Sequence, residues 1–150
     1  MIETLDPAER ADRNWGVAAH LSALLAGMVV PFGNIIGPLV VYLQNRDTRP
    51  FATQHAKAAL NFQITLMIVV LLVCIVIGVG WIGAIGAAAA APNGSDGDLQ
   101  FPPMAIAGMV GAGGFLLIVG IMSFVWTILG AVAASQGRPY RYPVSMYFVK

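Results

Sequence analysis

The sequence predicts an all-α membrane protein: a four-helix transmembrane bundle, a short Pro/Gly-broken hairpin followed by two long spans, with both termini in the cytoplasm (N-in/C-in). Three observations carry that reading. Of the 150 residues 58% are hydrophobic and 10% charged, more apolar side chain than a soluble domain of this size covers with polar surface. Ile64 to Ala91 and Met104 to Ala134 hold no charged residue, and each exceeds the roughly 20 residues that a helix needs to cross a bilayer core. The charges are also polarised: Arg10, Arg13, Arg46, Arg49, Lys57, Arg138, Arg141 and Lys150 lie in or beside the polar ends, whereas the stretch from Pro92 to Phe101 carries only Asp96 and Asp98. One membrane domain, 1–150, is the natural division, because the remaining polar stretches are too short to bury a core of their own. The opening MIETLDPAER is acidic, unlike the basic leader of a secretory signal, so the first apolar segment is expected to stay in the mature protein.

The first helix is expected over about 7–30. Asp6 suits the cap, Pro7 the first helical position, and Glu9 the partner position of a capping box. Glu9 and Arg13 stand one turn apart as a surface pair, and Trp15 marks the headgroup level. Apart from His20 and Ser22, Gly16 to Val30 is apolar. Two prolines and two glycines then bracket Asn34 in PFGNIIGP, Pro31 to Pro38, which a continuous helix would cross only by losing backbone bonds. Two readings stand: a kink in one span, giving three crossings, or a turn at Pro31 to Asn34 followed by a short returning helix over about 35–44. The second puts all eight basic residues on the cytoplasmic side and is favoured by the positive-inside rule.

A third helix is expected over about 50–91. Gln54, Lys57, Asn61 and Thr65 are spaced by three and four and share one face, so the helix is read as an amphipathic shoulder before it becomes apolar. Its far half carries small residues four apart, Gly80, Ala84, Ala88 and Gly83, Ala87, Ala91, a pattern that admits close helix contact in lipid. Turn chemistry in Ala91 to Asp98 precedes Pro102 and Pro103 and a fourth helix over about 103–135, with Gly108, Gly111, Gly113 and Gly114 on a second smooth face and Gly137 as its cap. The tail 137–150, RPYRYPVSMYFVK after Gly137, alternates Arg, Pro and aromatics and suits an extended interfacial segment.

Little here resembles catalytic machinery. No carboxylate falls within a span, which speaks against a proton relay and against carboxylate-based catalysis. No nucleophile, base and orienter can be placed together, so no catalytic residue is assigned and the chain is not read as an enzyme. His20 and His55 lie in different segments without further ligands at metal spacing, and Cys74 is alone and expected to pack as a small hydrophobe. No metal or cofactor is expected, and a net charge of +1 gives no field for nucleic acid. His20 is read as a helix-to-helix hydrogen-bonding group, with transport or sensing as the alternative.

Four motifs, AHLSALLAG (Ala19 to Gly27), PFGNIIGPLVVYL (Pro31 to Leu43), QHAKAALNFQI (Gln54 to Ile64) and GRPYRYPVS (Gly137 to Ser145), cover most of the chain in order. Together they resemble the small bacterial membrane proteins of unknown function that are similar to the twenty-kilodalton inner-envelope preprotein translocon subunit of chloroplasts. That resemblance implies four helices, cytoplasmic termini, and His20, Asn34, Asn61 and Gln63 as signature polar positions. The expected role is a scaffold or assembly component of the bacterial cytoplasmic (inner) membrane, with the lipid bilayer as its solvent. Its shoulder from Pro50 to Asn61 and its tail, including Arg138 and Arg141, would meet a membrane protein partner. The alternative is a homo-oligomeric channel or translocon-like subunit that uses the broken helix.

Overall fold

The computed structural model describes residues 5–90 and 103–150. Those residues form four helices and no strand: α1 (Pro7–Val29), α2 (Gly33–Asn45), α3 (Pro50–Ala89) and α4 (Pro103–Ser135). The Ala91 to Asp98 turn, with Asp96 and Asp98, lies outside the described residues.

Local chemistry explains each boundary. Asp6 Oδ1 accepts from the Ala8 amide at 3.4 Å and Pro7 opens α1. Glu9, expected in a capping box, is used for its second expected contact, an ion pair with Arg13 at 2.5 Å. At the end of α1 the chain turns over Val30, Pro31, Phe32 and Gly33, closed by the Gly33 amide donating to the Val30 carbonyl at 2.9 Å. Pro31 presets the first corner. The second corner, Phe32, is held at φ 60°, a left-handed conformation that disfavours a side chain. The turn is tight enough that a Cβ on Gly33 would overlap the Ala26 carbonyl, and one on Gly37 would lie 2.5 Å from the Ser22 oxygen. Backbones of α1 and α2 therefore meet with only hydrogens between them. The chain breaks at Pro31 rather than kinking through it.

Contacts divide the chain into two compact units, Met1–Met67 with Met122–Lys150, and Ile68–Ile121. In the first, Ala19, Val41 and Ala56 form a core against which Trp15, Ala18 and Tyr42 pack. Trp15, expected at the headgroups, is half-buried and carries the Arg49 guanidinium over its ring at 5.9 Å. The hairpin tip, by contrast, is bare: Met28 is 77% and Val29 82% exposed. At 13 residues α2 spans about 20 Å, short of a bilayer core of about 30 Å.

In the second unit, α3 and α4 line an apolar groove of about 320 Å³ between Gly80, Trp81 and Ala84 on one side and Met104, Ala105 and Gly108 on the other. The small-residue ladders are not used for close contact within the chain: a Cβ on Gly80, Gly83, Gly108, Gly111, Gly113 or Gly114 would meet nothing within 4 Å among the described residues. Cys74, expected to be packed, is exposed. It stands among Leu71, Leu72, Ile75 and Val76, all more than half exposed. Both α3 and α4 are long and apolar enough to cross a membrane, and their most apolar windows are 0% and 17% buried. A core helix of a soluble protein would be covered. These faces need lipid.

Candidate functional site

The polar chemistry gathers in the first unit, where the start of α3, the end of α4, the hairpin and the C-terminal tail converge. It begins with the corner between α2 and α3. Fully buried Asn45 donates through Nδ2 to the Val41 carbonyl at 2.7 Å and accepts from Arg49 at 3.1 Å, while its own carbonyl accepts from the Thr53 hydroxyl at 3.0 Å. From α1, Asp12 Oδ1 accepts from the Ala52 amide at 2.9 Å. An acid of one helix thus caps the free amides of another, with the charge placed at the favourable end of the helix dipole.

Gly137 then reverses the chain. Its φ of +69° and the bonds from Gly137 N to Ala134 O (3.0 Å) and from Arg138 N to Ala133 O (2.9 Å) make a Schellman cap. The tail runs back along α3, extended as its prolines and aromatics predict, but with its backbone held by side chains of that helix. Asn61 Oδ1 accepts from the amides of Phe148 (2.9 Å) and Val149 (2.7 Å), and its Nδ2 donates to the Val149 carbonyl at 3.1 Å. Thr65 Oγ1 accepts from the Met146 amide at 2.9 Å and donates to the Asn61 carbonyl at 2.7 Å. Two side chains of the predicted polar stripe thus receive an extended strand as a sheet edge would.

Tyr142, 6% exposed, is the plug of this tail. Its ring stacks on Phe62 with centroids 3.9 Å apart and planes at 9°, an arrangement worth ~0.5–1.5 kcal/mol beyond its buried area. Its hydroxyl lies 2.8 Å from Nδ1 of His20, whose Nε2 lies 2.8 Å from Nδ1 of His55. Thr127, which also hydrogen-bonds the phenol, spends its own proton on the Ser123 carbonyl at 2.8 Å. His20 thus joins Tyr142 to His55 through its two ring nitrogens. His55 Nε2 is the one buried side-chain polar atom without a hydrogen-bond partner at bonding distance among the described residues. Burial holds Tyr142 ionisation well above the ordinary tyrosine range; the Thr127 bond opposes this and Tyr140 adds to it. Burial raises Tyr140 as well.

The sequence-predicted positions separate into two groups. His20, Asn61 and Thr65 are buried in the network just described, and Asn34 Nδ2 donates to Gln63 Oε1 at 3.1 Å, tying α2 to α3. Gln54 is exposed, Lys57 lies over the Tyr42 ring at 5.9 Å, Arg138 bonds the Gln136 side chain, and Arg141 lies over Tyr147 at 5.7 Å. The shoulder from Pro50 to Asn61, expected to project toward a partner, is instead largely enclosed: Ala52, Ala56, Ala59 and Leu60 are at most 1% exposed. Sequence reasoning missed Asp12, Asn45, His55, Thr127 and Tyr142. The two histidines, read as lying in separate segments, are in direct contact. Asn45 ahead of Pro50 was the one local cue, a polar residue where one helix must end and another begin. Among the described residues no group of three His, Cys, Asp or Glu side chains is placed to hold a metal ion.

Fold and site together define a small α-helical membrane protein whose buried polar groups bond helices and tail to each other. The family model of the MamF/MmsF magnetosome magnetite crystal formation proteins matches residues 11–149, and the chain belongs to that family. No curated protein and no solved structure matches the chain significantly. The family match overturns the resemblance to the translocon subunit of chloroplasts. The motifs behind that resemblance are now seen to be the packing seams: the hairpin, the buried start of α3 and the cap and tail. Small residues, breaks and buried amides at such seams report how helices fit, not what the protein does.

Proposed function

We propose that this chain is a multi-pass component of the membrane that encloses a growing magnetite crystal, and that it acts in crystal formation as an assembly element rather than as an enzyme. The carrying observation is the family match across residues 11–149. The site supports the non-catalytic part: His20, Asn45, Asn61, Gln63, Thr65 and Thr127 are each engaged in bonds within the chain. A catalytic constellation would keep some of these groups free for a substrate.

In this reading α3 and α4 cross the bilayer, the α1–α2 hairpin enters it from the cytoplasmic side without crossing, and both termini face the cytoplasm. Open glycine faces on α3 and α4 support lateral association with a second copy. The test is removal of the gene from a magnetite-forming cell, with crystals sized and counted by electron microscopy and the wild-type gene supplied again. Altered crystal size, shape or number that the returned gene restores is expected. Crystals indistinguishable from the parent's would sink the proposal.

A further inference from the structure

At the end of α4 the apolar surface does not simply stop. Leu129 and Val132, about half exposed on the last turns, continue into a groove of about 310 Å³ that is completed by Ala133, Arg138, Pro139 and Tyr140. One wall is acyl-like surface, and the other offers a guanidinium and a phenol. Apolar side chains beside a guanidinium and a phenol are complementary to the acyl chain and the phosphate of a phospholipid.

Charge favours an anion there. From Pro103 to Lys150 the sequence has no Asp or Glu but carries Arg138, Arg141 and Lys150. The ion pairs among the described residues are Arg13 with Glu9 and Arg46 with Asp47; the Arg138 guanidinium bonds the neutral Gln136 side chain. Arg141 is occupied on Tyr147. The Schellman cap fixes the backbone of Arg138, so its fork is presented from a rigid base. We infer that this groove is a binding site for one anionic phospholipid, with a chain along Leu129 and Val132 and the phosphate held by Arg138 and the Tyr140 hydroxyl. It depends on the membrane placement of α4 but not on the role in crystal formation.

The test uses the full-length protein in neutral detergent, with bound lipid counted by native mass spectrometry after equilibration with phosphatidylglycerol or phosphatidylcholine. One retained phosphatidylglycerol is expected, held at least fivefold more than phosphatidylcholine. Arg138→Gln should reduce that retention at least fivefold. Arg46→Gln, which removes an equal charge elsewhere, should leave it unchanged. Val132→Trp fills the groove with the charge intact and should also abolish retention, while helical circular dichroism certifies that each variant is folded. Equal retention of the two lipids, or full retention by folded Arg138→Gln or Val132→Trp protein, overturns the site. Displacement of the lipid by an equal concentration of inorganic phosphate overturns the lipid assignment in favour of a free-anion site.

Discussion

At the residue scale the His20, His55 and Tyr142 chain is held by geometry that admits little substitution. Tyr142→Phe keeps the stack on Phe62 but leaves His20 Nδ1 buried without its partner, which should lower stability by about 1–3 kcal/mol. Thermal unfolding in detergent measures it, and an unchanged midpoint would show that the bond contributes nothing. Gly130 offers a sharper contrast. A Cβ there would lie 2.8 Å from His20 ring atoms, whereas one on Gly113 would meet nothing within 4 Å. Gly130→Ala should therefore cost about 1–3 kcal/mol by overpacking, and Gly113→Ala in the same helix should be neutral or slightly stabilising through helix propensity. Equal effects would mean that Gly130 is not under the ring. The raised ionisation of Tyr142 fixes a pH dependence. An unfolded tyrosine ionises near pH 10, earlier than the buried one, so this contribution is intact below about pH 10 and is lost as pH rises above it. Unfolding midpoints for the wild type should fall above pH 10 more steeply than those of Tyr142→Phe.

The elements are joined by side chains lent from one to another. Asp12 of α1 caps α3, Asn34 of α2 meets Gln63 of α3, and Asn61 and Thr65 of α3 hold the tail. Asn61 alone makes three bonds to tail backbone. Losing them at a typical net value of ~0.5–1.5 kcal/mol each should loosen the strand without unfolding the helices. Trypsin cleavage after Arg141 in Asn61→Ala protein should be at least tenfold faster than in the wild type, since even the low end for three lost bonds, about 1.5 kcal/mol, is worth slightly more than that factor. A tail that is cut no faster would show that the Tyr142 plug suffices by itself. The polar stripe was legible because Asn61 and Thr65 interrupt an apolar helix at helical spacing. Its occupant was not, since the acceptor of a backbone amide leaves no mark in the tail's side chains.

For the molecule as a whole, orientation is the property that composition sets most directly. With Cys74 replaced by Ala, a cysteine in place of Asp47 in the α2–α3 turn, and another in place of Lys150, should both resist an impermeant maleimide until the membrane is opened. Labelling of either in sealed cells would reverse the proposed topology. The bare hairpin tip and the nearly unburied windows of α3 and α4 demand lipid on the same physical ground as the composition does. Far from the seams the chain is generic apolar helix, and apolar spans of this kind do not tell one membrane family from another.

The sequence by itself determined that the protein is helical and apolar enough for a membrane, and about where its helices start and stop. Those properties follow from burial preference, propensity and capping, which act over a few neighbouring residues. Between a kink and a turn at Pro31 to Pro38 only the structure chose, ending α1 at Val29. Tertiary structure alone decided that His20 meets His55 and Tyr142, across separations of 35 and 122 residues. It also decided that the shoulder of α3 is enclosed. Hydrogen bonds between distant segments depend on how whole helices are positioned, and no local pattern of residues carries that information.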